Sequence, residues 1–92
     1  MLTEAQKVTL EQSVRDVLQD FDQSGAAFTA PMLVSALRET DIAEDEDLLD
    51  QEDTEAFITD IVTRRRDELD GGPRQLVVLE VDPEQKWGFR DA

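Results

Sequence analysis

Gly71-Gly72-Pro73 divides this chain into two kinds of sequence. Ahead of it, apolar residues recur every three or four positions, the spacing of helices with one buried face. Behind it, Arg74 to Val81 reads RQLVVLEV, a run of aliphatic and β-branched residues suited to a strand. Glycine just past a helix followed by proline, which cannot continue one, makes a firm stop. The break predicts an α+β fold: three helices followed by a C-terminal β-hairpin. Ninety-two residues, 39% of them apolar, suffice for a single small domain over residues 1–92 with one modest core.

The first helix is expected over about 3–21. Leu10, Val14, Val17, Leu18 and Phe21 make one apolar stripe, and Val8 beside it suggests a wider buried face. Thr3 can cap its start, Glu11 and Arg15 are spaced as an i,i+4 pair, and Gln23-Ser24-Gly25 breaks it near Asp22. A second helix is expected over about 29–39. Thr29 is the N-cap, Pro31 lies in the first turn, and Phe28 and Leu33 have the spacing of a hydrophobic staple. Met32, Leu33, Ala36 and Leu37 supply its buried face. The third, over about 54–70, buries Phe57, Ile58, Ile61, Val62 and Leu69.

The hairpin is expected over about 74–90, turning at Asp82-Pro83-Glu84-Gln85, where proline suits a type I turn. Pairing Val81 with Lys86 sets Val78 opposite Phe89 and Glu80 opposite Trp87. Leu76, Val78, Trp87 and Phe89 then share the core face, and Val77, Leu79 and Val81 the other. That second face is also apolar, so the hairpin packs on both sides or exposes a patch. Trp87 and Phe89 are expected to close the core against the first helix.

This order of elements resembles a winged helix-turn-helix domain. Residues 28–38, FTAPMLVSALR, are similar to that family's second helix, and LVVLEV-DPEQ-KWGF over 76–89 is similar to its wing. The resemblance implies a recognition helix over 54–70 and contact with DNA. Its candidate nucleic-acid contacts are Arg64, Arg65, Arg66, Arg74, Lys86 and Arg90. One departure stands out. The family joins its second and third helices by a short turn, whereas here the acidic connector 41–53, DIAEDEDLLDQED, fills that place.

The connector carries eight acidic side chains and no basic one, within a net charge of −14. Leu48 and Leu49 can pin it to the core while its carboxylates face water. A solvated loop is its simplest reading. The sharper reading is a charged surface for a basic, nucleic-acid-binding protein, addressed through Asp41, Glu44, Asp45, Glu46, Asp47 and Asp50. Arg64-Arg65-Arg66 is the only basic cluster, and Asp60, Glu68 and Asp70 at i,i+4 spacing are placed to absorb it within its own helix. A high-salt cytoplasm, or solubility selection, would favour the same acidic, lysine-poor composition.

Catalysis is not expected. The chain has no Cys, His or Tyr, the usual thiolate, imidazole and phenol groups of active sites. An enzyme would have to run on carboxylates or a bound metal and would need a pocket where carboxylates converge. Asp20, Asp22, Ser24 and Gly25 are spaced like the start of an EF-hand loop, but Pro31 stands where the bidentate glutamate belongs. No cofactor or metal site is expected. The opening MLTEAQKVTLEQ has neither a basic leader nor a signal-length apolar core, and no run reaches the ~20 apolar residues of a membrane span. These features predict a cytoplasmic, non-enzymatic interaction or regulatory module that avoids membranes. The partner is a protein with a basic surface, and a homodimer is allowed. The alternative is a winged-helix DNA-binding regulator, which would need dimerisation to gather enough positive surface.

Overall fold

In a computed structural model that describes residues 1–40, 48–81 and 84–91, the protein is an α+β domain of three helices and a three-stranded antiparallel sheet. The chain runs α1 (Glu4–Ser24), β1 (Phe28–Thr29), α2 (Ala30–Leu37), α3 (Thr54–Leu69), β2 (Arg74–Glu80) and β3 (Lys86–Asp91). The sheet order is β1-β3-β2, so β3 is central.

Helix α1 begins where expected. The Thr3 hydroxyl accepts from the Gln6 amide, and the Gln6 side chain accepts from the Thr3 amide, a reciprocal capping box. It ends later than expected, because Gln23 and Ser24 remain helical and only Gly25 stops it. Gly25 has φ 73°, and its amide donates to the Phe21 carbonyl. A Cβ at Gly25 would meet nothing within 4 Å, so Gly25→Ala tests backbone conformation alone. It is expected to cost about 1–2 kcal/mol in urea unfolding, with an unchanged denaturant slope. Leu10, Val14, Val17 and Leu18 are buried as the stripe requires. Val8 is not part of a wider buried face: it is 58% exposed.

Thr29 caps α2, accepting from the Met32 amide at 3.3 Å. One element is added in this region and one expectation is corrected. Phe28 is strand β1, paired with Trp87 of β3, and two residues are too few to give a periodic signal. Met32 is 43% exposed, because α2 turns Leu33 and Leu37 into the core and leaves Met32 on its flank.

The hairpin register is also corrected. Leu76 pairs with Phe89, Val77 with Gly88 and Val78 with Trp87, two positions from the expected pairing, and an irregularity between Val78 and Glu80 brings Glu80 opposite Lys86. The side-chain period of a strand is two, so a two-residue shift leaves every face unchanged. Leu76, Val78, Trp87 and Phe89 therefore still point to the core, while Leu79 and Val81 are exposed on the other side. Gly88 has a local reason. A Cβ there would lie 2.8 Å from Leu79 Cδ1, so the leucine folds over the glycine.

Trp87 and Phe28 sit at the centre of the core, both essentially fully buried, with ring centroids 5.8 Å apart. Phe21 and Phe89 flank Phe28 at 5.0 and 6.0 Å. Helix α1 packs on α2, α3 and β3, and α3 packs on β2. Among the described residues, no helix is long and apolar enough to cross a membrane.

Candidate interaction surface

Five of the six connector carboxylates singled out above, Asp41, Glu44, Asp45, Glu46 and Asp47, lie outside the described residues. The connector's end is anchored. Leu48 and Leu49 are buried, and the Thr54 hydroxyl donates to the Leu48 carbonyl at 3.0 Å, a bond shielded from water. Asp50 is exposed but engaged: Arg38, at the end of α2, reaches it at 2.9 Å. Asp53 occupies the N-cap of α3 without capping it; its Oδ2 instead accepts from the Leu2 amide at 3.3 Å.

The basic residues are absorbed by carboxylates, but across elements more than within helices. Arg64 pairs with Glu11 of α1 at 2.9 Å, not with Asp60. Arg15 does not pair directly with Glu11; it makes a bidentate bridge to Glu68 of α3 at 2.8 and 3.1 Å. Arg65 also reaches Glu68, at 3.4 Å, and Arg66 lies 3.9 Å from Asp67. Arg74 joins three elements: its Nε donates to Asp22 of α1 at 2.7 Å, and its Nη1 to Asp91 of β3 at 3.0 Å. Lys86 is 3.8 Å from Glu80 across the hairpin. Arg90 is exposed, with no carboxylate in ion-pair range among the described residues. The six cations are thus spread over the α1–α3 seam, the groove between α3 and β2, and both ends of the hairpin.

The bidentate hydrogen bonds from Arg15 hold the Glu68 carboxyl at a pKa of about 2, below its ordinary 4.5, and raise that of the guanidinium. The hydrogen bonds that Arg74 donates to its carboxylate partners, Asp22 first and then Asp91, likewise raise its own pKa. A carboxylate with a depressed pKa in the folded state stabilises it at pH values above its unfolded pKa, and the contribution disappears as pH falls through the folded value. The Glu68 contribution is therefore full above about 4.5 and lost on acidification toward 2. Glu68→Gln is expected to flatten the acid limb of stability over that window, as read by urea unfolding at stepped pH, and to leave the neutral-pH shape of the curve unchanged.

The exposed charged residues of α3 are Glu55, Asp60, Arg64, Asp67 and Glu68, and Asp70 follows at its end. Elsewhere, two contiguous depressions run between α1 and α2 toward the hairpin turn, with cavity volumes of about 620 and 440 Å³. They share Phe21, Ala36 and Glu39. The helical pattern of α2 assigns Met32 to the core and gives no sign of this groove; the orientation of α2 against α1 creates it. Among the described residues, no group of three carboxylates is placed to hold a metal ion.

No family model matches the chain, and searches of curated proteins and of solved structures returned no match.

Proposed function

We propose that this domain is a non-enzymatic protein-interaction module whose acidic surface engages a basic partner. One observation carries the reading. Five of the six candidate phosphate contacts each sit within ion-pair distance of a carboxylate of the same chain, while α3 exposes Glu55, Asp60, Asp67 and Glu68 against Arg64, with Asp70 just past its end. A helix with that exposed charge would be repelled by a phosphate backbone and attracted to a basic protein surface. The connector adds to this field through its sequence alone, whatever its conformation.

The architecture is winged-helix-like on this reading. Support comes from the order of elements, three helices with the two-residue β1 between the first two and then the β2–β3 hairpin, with the connector lengthening the link between α2 and α3.

The test is capture of partners at low and at moderate salt, alongside a gel-shift assay with duplex DNA. A protein partner is expected whose retention falls steeply with salt and is lost when Asp45, Glu46 and Asp47 are neutralised together as Asn, Gln and Asn. Retention unaffected by that triple change would sink the role of the connector. Binding to duplex DNA at moderate salt would replace the whole reading with that of a DNA-binding regulator.

A further inference from the structure

The groove between α1 and α2 combines two properties that the core does not explain. Its floor is apolar and open: Met32 is 43% exposed, Phe21 is only partly buried, and Val17 and Ala36 line the middle. Its rim carries Asp20 of α1, Glu39 just past α2 and Glu84 beside the hairpin turn. None of these three is in ion-pair range of a cation among the described residues, and every Lys and Arg of the chain is among those residues. Lys86 also reaches the groove, but it is drawn to Glu80. An apolar trough bordered by uncompensated carboxylates is complementary to a segment with one apolar and one basic face.

We infer that this groove is the docking site for a basic amphipathic helix of the partner protein. The inference rests on the proposed function and locates it. Two helices form most of the groove's wall and offer no main-chain groups to an extended segment. The adjoining strand, β1, is two residues long and would give an added strand only a stub of ladder. A helix needs none of this. It lays side chains at i, i+3 or i+4, and i+7 on the floor and sets Lys or Arg against the rim. Met32 suits the floor, because an unbranched thioether adapts to what it meets.

The probe is a peptide of leucine and lysine, about fourteen residues or roughly four helical turns long, with leucine on one face. Its control is an isomer of identical composition with leucine spread around the helix. The intact protein, labelled with ¹⁵N, is titrated with each. The amphipathic peptide is expected to bind at least about tenfold more tightly than the isomer, with amide shifts centred on Val17–Ser24 and Thr29–Glu39. Met32→Glu is expected to weaken it about tenfold, and Met32→Leu to preserve binding. Met32 is half outside the core, so both variants keep the fold, which the amide spectrum verifies directly. Neutralising Asp20, Glu39 and Glu84 together is expected to remove the salt dependence of binding.

Equal binding of the two isomers would overturn the groove and leave a charge-only association, consistent with the broader function. Shifts centred on α3 or β2 would also overturn it. Binding of neither peptide at low salt would overturn both readings. Concentration-dependent shifts at the groove without peptide would identify a second copy of this chain as its occupant and overturn the basic helix.

Discussion

Trp87→Ala is expected to unfold the domain or bring it to the edge of unfolding, at a cost of about 3–5 kcal/mol. Three observations set the size of the effect. Trp87 is 1% exposed. It lies on the central strand, opposite Val78 of β2 and Phe28 of β1, so its side chain is packed between both neighbours. It also stacks near Phe28, which in turn touches Phe21 and Phe89. Removing the indole leaves a cavity that rigid strands on either side cannot fill. A domain of this size has a total stability of roughly 5–15 kcal/mol, so the loss corresponds to a fall in Tm of more than about 12 °C. Far-UV circular dichroism during urea unfolding is the suitable measurement, because Trp87 is the only Trp and its fluorescence disappears with it. Trp87→Phe keeps an aromatic ring and is expected to cost clearly less. Similar midpoints for wild type and Trp87→Ala would mean that the aromatic cluster is not the centre of the core.

Leu48→Ala is expected to cost about 2–5 kcal/mol, the second largest effect. The residue belongs to a segment so acidic that its sequence resembles a solvated loop, and a substitution in such a loop should stay within about 0.5 kcal/mol. Yet Leu48 is completely buried, and its carbonyl accepts the shielded bond from Thr54 at the start of α3. The truncated side chain leaves a hole where the connector joins the core. Leu49, at 7% exposure, should show a similar but smaller loss, and Asp50→Asn close to none beyond its surface pair with Arg38. Urea midpoints for the three variants test this ranking. A near-silent Leu48→Ala would show that the connector's end does not contribute to the core.

The helices were legible where a residue's own neighbours in sequence decide its structure. Thr3, Thr29 and the glycines at 25 and 71 act through the local backbone, and each takes the terminal role that its chemistry dictates. The α1 stripe and the inward face of the hairpin follow from periodicity, which survives even a slipped register. What stayed hidden depends on partners distant in sequence. Strand β1 exists because Phe28 meets Trp87. The register depends on an irregularity past Val78 that no residue type announces. Arg15, Arg64 and Arg74 find carboxylates on other elements, which i,i+4 counting cannot foresee. Met32 alternates correctly for burial but faces a gap between helices. Of the acidic set, only Asp50 falls among the described residues, and Arg38 already holds it.

The pairing of β1 with β3 also sets an order of events for the folding chain. The β2–β3 hairpin closes over a handful of residues, and each helix forms from local contacts, whereas Phe28 and Trp87 are about sixty positions apart. Bringing such distant residues together carries an entropy cost that little compensates until the intervening helices are in place. The two residues of β1 are therefore expected to join the sheet last, so that substitutions at Phe28 speed unfolding far more than they slow folding.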